Sequence, residues 1–242
     1  MARQGGEAAL RYWNTGLQPE SKDDASPVTI ADRESEQLIA RAIEEAFPED
    51  GLLGEEGSAK QSRNGRRWII DPIDGTRDFV RGNRAWAVLV GLEVDGEVVA
   101  GSAYLPAMGE MFTAWRCGGA FLNGAPIRAS EISAPSQAVL CVNQFSNVRG
   151  QAFAGELLDW MAQFWAVRSM GGCLDAMMVC RGQADLWLEI SGKPWDFAPL
   201  KIIAEEAGAK FFNFDGGSSI YGGNCVICGP GMEAAARQFL KI

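Results

Sequence analysis

The chain has 242 residues and a formal net charge of −9, with 47% hydrophobic and 22% charged residues. This length suffices for one large domain with a sizeable core, and the composition is ordinary for a globular protein. The acidic balance, without a basic stripe, argues against a nucleic-acid partner. No apolar run approaches the roughly 18 residues of a membrane-spanning helix, and the first residues lack the apolar core of a signal peptide. We therefore expect a cytoplasmic protein without a membrane partner.

The absence of histidine restricts the possible chemistry. It excludes a Ser-His-Asp triad, an H-E-x-x-H zinc site and a phosphohistidine intermediate. Acid–base work must fall to carboxylates, hydroxyls, lysine or metal-bound water. The six cysteines are scattered through apolar stretches, as is typical of reduced core thiols. The C-x-x-C at Cys225–Cys228 lies in an apolar run, which favours a buried strand over a redox or metal site.

The first half of the chain is predicted to hold a helix followed by several strands. After a polar segment, Gln18–Ser26, apolar residues recur at helical spacing up to Phe47, and Pro48 ends the helix. Three residues are candidate caps for its start: Thr29, Asp32 and Ser35. Strands are predicted at residues 68–70, 86–94, 98–104 and 111–115. The dipeptide Asp95–Gly96, between the second and third strands, is a tight hairpin signal.

The second half of the chain alternates strands and helices. Strands are predicted at residues 139–142, 184–189 and 224–228, and helices at 151–164, 174–180, 194–207 and 232–240. Alternation after a hairpin-rich half predicts a layered α/β or α+β architecture. A soft boundary near Ser130 divides an N-terminal α+β half, 1–130, from a C-terminal α/β half, 131–242. We expect the two halves to form a single unit over residues 1–242.

Three acidic clusters are the candidates for chemistry: Gly54–Gly57, Asp71–Thr76 and Trp195–Asp196. An apolar strand delivers Asp71 to its carboxyl end, where α/β sheets bind ligands, and a turn brings Asp74 toward the same point. Gly75 permits close backbone approach, and a helix that begins near Thr76 offers free N–H groups to a phosphate. Carboxylate and carbonyl oxygens are ligands suited to Mg²⁺. Asp-Gly-Thr is a common sequence that on its own favours a solvated, capped turn, but the three clusters together favour a metal site.

Four motifs carry a family resemblance. Residues 68–79 resemble the W-I-x-D-P-I-D-G-T-x-x-F signature of inositol-monophosphatase-like enzymes. Gly54–Glu56 resembles their G-E-E element, residues 195–208 their W-D-x-A-x…E-A-G motif, and Ser26–Asp32 their S-P-V-T-x-A-D segment. The resemblance runs from about Lys22 to the C-terminus. It implies a layered αβαβα sandwich of the inositol-monophosphatase/fructose-bisphosphatase type, and a homodimer, since family members are commonly dimeric.

The resemblance also implies a site with two to three Mg²⁺ ions. Glu55, Asp71 and the Ile73 carbonyl would bind the first ion. Asp71, Asp74 and Asp196 would bind the second, and Glu55 would hold a weaker third ion through water. Such ions neutralise phosphate oxygens, generate hydroxide near neutral pH and stabilise the leaving alkoxide, so the reaction needs neither histidine nor a covalent intermediate.

The other implied roles concern the phosphate and the attacking water. Gly75 and Thr76 would offer backbone N–H groups to the phosphate, while Asp32 would accept from the Thr76 hydroxyl, which orients the water. The implied catalytic set is Asp32, Glu55, Asp74 and Thr76. The implied substrate contacts are Glu189, Asp196, Gly171 and Gly172. Competing phosphatase signatures are missing: the sequence has no C-x₅-R loop, no D-x-D-x-T spacing and no P-loop.

The substrate is less well defined by the sequence. Residues 79–86 resemble the F-x-R-G-x-x-x-W stretch of the histidinol-phosphatase branch, and the cationic amine of histidinol phosphate would suit an acidic pocket with Glu189 and Asp175. Residues 76–79 resemble the T-K-E-F of the nucleotide-bisphosphatase branch. Histidinol phosphate, inositol monophosphate, a 3′(2′),5′-bisphosphate nucleotide and fructose 1,6-bisphosphate therefore stay open. A metal-binding regulatory protein on the same fold is the non-enzymatic alternative.

Overall fold

The computed structural model describes residues 1–16, 18–21 and 27–242 of the chain. Most of the predicted polar segment Gln18–Ser26, including Lys22 and Ser26 of the family resemblance, lies outside these residues. The helices are α1 (Ala2–Leu10), α2 (Ile30–Ala46), α3 (Thr76–Val80), α4 (Leu157–Met161), α5 (Gly172–Cys180), α6 (Pro194–Glu206) and α7 (Glu233–Leu240). Three short 3₁₀ helices span Pro135–Gln137, Phe145–Gly150 and Pro230–Met232. Among the described residues, no helix combines the length and apolar character needed to cross a membrane.

The strands form one short ribbon and two sheets. The ribbon pairs β1 (Glu20–Ser21) with β2 (Pro27–Val28). The first sheet contains β3 (Gly51–Gly54), β4 (Ala59–Lys60), β5 (Arg66–Asp74), β6 (Ala87–Val94), β7 (Glu97–Leu105), β8 (Glu110–Trp115), β9 (Gly119–Leu122) and β10 (Ala125–Pro126), in the spatial order β10-β9-β8-β7-β6-β5-β3-β4. The second contains β11 (Val139–Asn143), β12 (Ala166–Arg168), β13 (Leu186–Glu189), β14 (Lys210–Phe212) and β15 (Cys225–Cys228), in the order β12-β11-β13-β15-β14.

Helices and sheets alternate in five layers, which explains the long apolar runs in the strands. Helices α1 and α2 cover one face of the first sheet. Helices α5 and α6 lie between the two sheets, and α4 and α7 cover the outer face of the second sheet. Because both faces of each sheet are covered, neighbouring side chains such as Ile69 and Ile70 are both buried, in two different clusters. The predicted layered αβαβα sandwich is confirmed.

Helix α6 crosses the first sheet at close range, and this position matters for the site because α6 begins two residues before Asp196. Gly91 and Gly101 are paired across β6 and β7. A Cβ on Gly91 would lie 2.9 Å from the Cβ of Ala198, and one on Gly101 would lie 2.8 Å from the Cα of Pro199. Only glycine therefore lets the helix backbone approach these two strands so closely.

Most of the predicted helices and strands are present in the structure. Asp95 and Gly96 both have positive φ, as the predicted hairpin requires. Thr29 is the cap of α2, where its hydroxyl accepts from the Ala31 N–H. The predicted helix at 151–164 is wrong in extent: only α4 is helical, because Gly155 interrupts the run and the preceding residues form turns. The predicted halves meet between β10 and β11, and their folding as one unit stays a prediction.

Candidate active site

The site is built around the end of β5, which carries the first two predicted metal ligands. The register between β5 and β6 becomes irregular between Asp71 and Asp74, so the chain turns where the two carboxylates leave the strand. The Asp71 carboxylate accepts from the Ile73 N–H at 3.0 Å, which holds this turn. Gly75 follows with φ +84°, and its missing Cβ would lie 2.9 Å from the Ala85 carbonyl oxygen. A left-handed backbone and this close contact both call for glycine.

Glu55 is brought beside Asp71 by the pairing of two parallel strands. In the register of β3 and β5, Gly54 faces Ile70, so the next residues along the two strands are Glu55 and Asp71. The Glu55 N–H donates to the Ile70 carbonyl at 3.1 Å, which extends the ladder by one bond. The two acidic clusters, 15 or more residues apart in the sequence, therefore meet at the same sheet edge.

The second half of the chain supplies Asp196 and two helix N-termini. Asp196 lies in the first turn of α6, where its carboxylate accepts from the Lys193 N–H at 2.7 Å. The Cys173 N–H, in the first turn of α5, donates to the Asp74 carboxylate at 3.0 Å. Both helices thus direct the positive end of their dipole toward the acidic residues, which partly offsets their charge.

Three carboxylates converge. Asp71, Asp74 and Asp196 each offer one oxygen, and these oxygens all lie within 4.8 Å of one another. Glu55 does not belong to that group of three, but its charge raises the pKa of each member. Burial is the largest cause of the shifts: it raises the pKa of Asp74 to about 6 and that of Asp196 to about 7, and it raises the pKa of Asp71 well above its usual range.

This arrangement is suited to a cation. Among the described residues, no lysine or arginine forms an ion pair with any of the three carboxylates. Buried like charges without a counter-ion are unfavourable, and hard oxygen donors at this spacing match a divalent metal such as Mg²⁺. The Ile73 carbonyl, the remaining predicted ligand, accepts from the Thr76 hydroxyl at 3.2 Å and retains a second lone pair. The residues present therefore fit the metal that the family resemblance implies.

Thr76 and Asp32 lie together beside the cluster, as predicted. The Thr76 hydroxyl is 3.3 Å from the Asp32 carboxylate, and both are held at the N-terminal ends of helices α3 and α2. The other Asp32 oxygen accepts from the Thr29 N–H at 2.8 Å and from the Thr29 hydroxyl at 2.6 Å. Asp32 is fully buried, and burial raises its pKa. The two hydrogen bonds from Thr29 thus fix the orientation of the Asp32 carboxylate, and its second oxygen accepts from Thr76.

A cleft of about 250 Å³ opens next to the three carboxylates. The predicted substrate contacts Glu189, Gly171 and Gly172 all line it, together with Asp74 and Asp196. Glu189 is 5% exposed, and its Oε1 atom has no hydrogen-bond partner among the residues that the structure describes. Gly172 lies beside the proposed ligands: a Cβ there would be 3.5 Å from the Asp74 carboxylate, an ordinary van der Waals distance.

Asp175 does not line the cleft, although the sequence suggested it beside Glu189. The side chain is fully buried in α5, where its carboxylate accepts from the backbone N–H groups of Met170 and Gly171. Arg84 is exposed and donates to the Ala107 carbonyl at 2.9 Å. Both residues shape the loops around the site through backbone contacts.

Comparison with known proteins agrees with this geometry. The model of the inositol monophosphatase family matches residues 1–241. The chain belongs to this family. Similar relatives are the histidinol-phosphatase of Chlorobaculum parvum, 38% identical over 94% of the chain and 88% of that protein, and the inositol-1-monophosphatase of Rhizobium meliloti, 36% identical over 88% and 82%. The Nus factor SuhB of Vibrio cholerae is 32% identical over 93% and 86%.

A solved structure also shows the family fold. The Thermotoga maritima IMPase superposes with a TM-score of 0.89 at 28% identity, over 99% of this chain and 93% of that one. The predicted family, the layered fold and the assignment as a phosphatase are thereby confirmed. The metal ligands, the ion count and the substrate contacts stay predictions, now supported by the geometry described above.

Several cleft residues were not predicted from the sequence: Arg77, Asp78, Asn143, Gln144, Trp187 and Ser191. The indole of Trp187 donates to the Asn143 side chain at 2.6 Å, which fixes the floor of the cleft. Arg77, one residue beyond Thr76, is exposed at the cleft and is the one lysine or arginine among the described residues that line it. Its position inside the family signature, at a letter that the signature leaves open, was the one available signal.

Proposed function

We propose that the chain is a Mg²⁺-dependent phosphomonoesterase that hydrolyses a small phosphorylated alcohol. The observation that carries this proposal is the convergence of Asp71, Asp74 and Asp196 within 4.8 Å beside an open cleft. We further propose two to three Mg²⁺ ions, bound by these residues with Glu55 and the Ile73 carbonyl. When bound, they would supply charge neutralisation and a water acidic enough to lose a proton near neutral pH.

The residues of the chain would position the substrate for this chemistry. Gly75 and Thr76 begin helix α3, and the first N–H groups of a helix have no intrahelical acceptor, so they are available to phosphate oxygens. The Thr76 hydroxyl can rotate between the Asp32 carboxylate, the Ile73 carbonyl and a water in the cleft. By accepting the hydroxyl proton in a hydrogen bond, Asp32 would leave the Thr76 oxygen lone pairs directed at the attacking water. The alcohol portion would extend along Glu189, Gly171 and Gly172.

Histidinol phosphate is the substrate we favour. The Oε1 atom of Glu189 is buried and, within the described part of the chain, has no hydrogen-bond partner; because Glu189 also lines the cleft, this atom suits the cationic amine of the ester. Burial, followed by the charges of Asp74 and Asp196, raises the pKa of Glu189 well above its usual range, so a bound cation would compensate an unfavourable charge. The relative from Chlorobaculum parvum carries the name of this activity.

A panel of four esters tests the substrate directly. Phosphate release should be measured with Mg²⁺ on histidinol phosphate, myo-inositol 1-phosphate, 3′-phosphoadenosine 5′-phosphate and fructose 1,6-bisphosphate. We expect the highest kcat/KM with histidinol phosphate. A preference for either bisphosphate would instead assign the exposed Arg77 to the second phosphate, and a preference for the inositol ester would remove the amine argument while leaving the metal site intact.

Replacing Glu189 by Gln tests the amine contact. The amide keeps the size of the side chain but removes the charge, and a hydrogen bond to a charged group contributes about 1.5–3 kcal/mol. We therefore expect kcat/KM for histidinol phosphate to fall by about 10- to 100-fold. The hydrolysis of myo-inositol 1-phosphate, which has no amine, should fall much less. An equal loss on both esters would contradict the proposed contact.

A regulatory role is the second candidate, because one relative is named a Nus factor. On this hypothesis the same fold and metal site would serve binding to another macromolecule. The ester panel separates the two ideas, since a folded, metal-loaded protein that releases no phosphate from any ester would favour regulation.

We also propose that the protein is a cytoplasmic homodimer. The location is supported by six free cysteines, five of them buried, as is usual in a reducing compartment. The dimer is supported by the family resemblance and by large apolar side chains that are exposed near the second sheet, among them Leu158 and Trp165. Light scattering after gel filtration should give about twice the chain mass of 26.1 kDa at micromolar concentration. A mass of one chain would contradict the dimer.

A further inference from the structure

Helix α2 presents three buried polar side chains to the site, and each contacts a different segment of the first half of the chain: the start of α3, the end of β5 and the loop after β3. Asp32 contacts Thr76, as described above. The Ser35 hydroxyl donates to the Pro72 carbonyl at 3.3 Å, between Asp71 and Ile73. Glu36 contacts the loop that carries Glu55. Asp32 and Glu36 are four residues apart, so they lie on the same face of the helix.

The Glu36 carboxylate is fully engaged with that loop. One oxygen accepts from the Glu56 N–H at 2.7 Å and the other from the Ser58 N–H at 2.8 Å. A Cβ on Gly54 would lie 2.5 Å from the carboxyl carbon, so the carboxylate packs directly on the Gly54 backbone. Glu36 is only 2% exposed, and within the described residues it forms no ion pair. Backbone N–H groups thus provide its stabilisation.

These contacts fix the backbone on both sides of Glu55. Before it, the Gly54 N–H donates to the Ser58 carbonyl at 2.7 Å, which closes the loop around the Glu36 carboxylate. After it, the Glu56 N–H is held by Glu36. We propose that Glu36 is a positioning residue: it fixes the direction in which the Glu55 side chain leaves the loop, and thereby sets the affinity for divalent metal. This inference rests on the proposed metal site.

A carboxylate is required at this position by hydrogen-bond chemistry. It is an acceptor at both oxygens, which matches two converging N–H donors. In Glu36→Gln the amide NH₂ would face one of these two N–H donors. The loop would then lose one hydrogen bond to α2, and the backbone at that donor would move away. Residues that orient metal ligands in this indirect way typically change metal affinity or activity by about 10- to 100-fold when replaced.

The chain contains a matched control. Glu206, at the end of α6, makes the same type of contact: its carboxylate accepts from the Cys117 N–H at 2.8 Å and from the Gly119 N–H at 2.7 Å. It too holds two N–H groups on either side of a single residue, in a turn of the first sheet that carries no proposed ligand. Glu206→Gln therefore reproduces the structural loss without the effect on Glu55.

The test measures metal binding without reference to turnover. The affinity for Mn²⁺, used as a spectroscopic substitute for Mg²⁺, is obtained from the free-ion signal in electron paramagnetic resonance, for the full chain and both Gln variants. Mg²⁺-dependent thermal stabilisation is measured in parallel. We expect Glu36→Gln to weaken Mn²⁺ binding by about 10- to 100-fold and Glu206→Gln to leave it unchanged, although both variants should melt at a lower temperature than the parent.

Equal Mn²⁺ affinity in all three proteins, or an equal loss in both variants, would overturn the positioning role and leave the proposed function standing. Failure of the parent itself to bind Mn²⁺ would overturn both proposals together. If Glu36→Gln does not fold, Glu36→Asp replaces it. The shorter carboxylate keeps the charge but cannot reach both N–H groups, so the same loss of Mn²⁺ affinity is expected, and parental affinity in Glu36→Asp would contradict the inference.

Discussion

Asp74→Asn is expected to abolish phosphate release while making the metal-free protein more stable. Loss of a preorganised charge contact in an active site commonly reduces kcat by about 10²- to 10³-fold, and Asp74 would bind metal as well as line the cleft. In the metal-free protein, however, Asp74 lies within a close group of like charges, of which Asp71 is buried and the other two are half-buried. Removing its charge at pH 8 should increase the free energy of unfolding by an amount on the order of 2 kcal/mol, given that burial raises its pKa to about 6.

The measurement combines phosphate release with Mg²⁺ and thermal melting in excess chelator. Asp50→Asn is the control, because Asp50 is a buried carboxylate at the opposite end of β3. Asp50 accepts hydrogen bonds from Asn64 and Trp68, both at 2.8 Å, and lies 3.4 Å from Arg66. Its replacement should lower the melting temperature and leave activity near the parental value. If Asp74→Asn hydrolyses substrate as well as the parent, the proposed site is wrong.

Opposite effects on activity and stability would follow from how the site is assembled. Carboxylates that bind a divalent metal must be close together, and this closeness is unfavourable when the metal is absent. The fold offsets part of the charge with the N-termini of α5 and α6, through the Cys173 and Lys193 N–H groups. These contacts orient single oxygens and leave the remaining ones for a metal.

The sequence predicts the place of a candidate site residue when that residue lies at the end of a recognisable strand or at the start of a recognisable helix. Asp71 and Asp74 could be placed at a strand end because an apolar strand precedes them, and Asp196 at a helix start because a mostly apolar run of helical length follows it. Thr76 could be paired with Asp32 only through the family resemblance. No local sequence pattern indicates that the first turns of two helices, with Asp32 and Thr76 44 residues apart, share one hydrogen bond.

Hydrogen bonds between side chains and distant backbone groups could not be predicted from the sequence. Glu36 looks like an ordinary charged residue on a helix, and its burial depends on two N–H groups that are 20 and 22 positions away. Arg84 donates to the Ala107 carbonyl, a backbone acceptor that any residue at 107 would provide. The helix predicted at 151–164 failed for the related reason that apolar spacing does not report how Gly155 and tertiary packing end a helix early.

Metal removal should make the stability of the protein depend steeply on pH. In the metal-free fold, burial raises the pKa of Asp74 to about 6 and that of Asp196 to about 7, above the ordinary value of 3.8. An acid whose pKa is higher in the folded state binds more protons there than in the unfolded state, so stability falls as pH rises through this window. We expect the melting temperature in chelator to be lower at pH 8 than at pH 5.

Added Mg²⁺ should reverse this trend, because it binds the ionised carboxylates. A ligand at 100 times its Kd stabilises the folded state by about 2.7 kcal/mol, which for a chain of this size corresponds to roughly 5–10 °C. The gain should be near its full value at pH 8 and small at pH 5, where protons compete for the same oxygens. Sodium chloride at matched ionic strength controls for screening of the net charge. Because Asp74→Asn removes one of the competing carboxylates, it should reduce both the pH trend in chelator and the gain from Mg²⁺; an unchanged response in that variant would place the metal elsewhere in the protein.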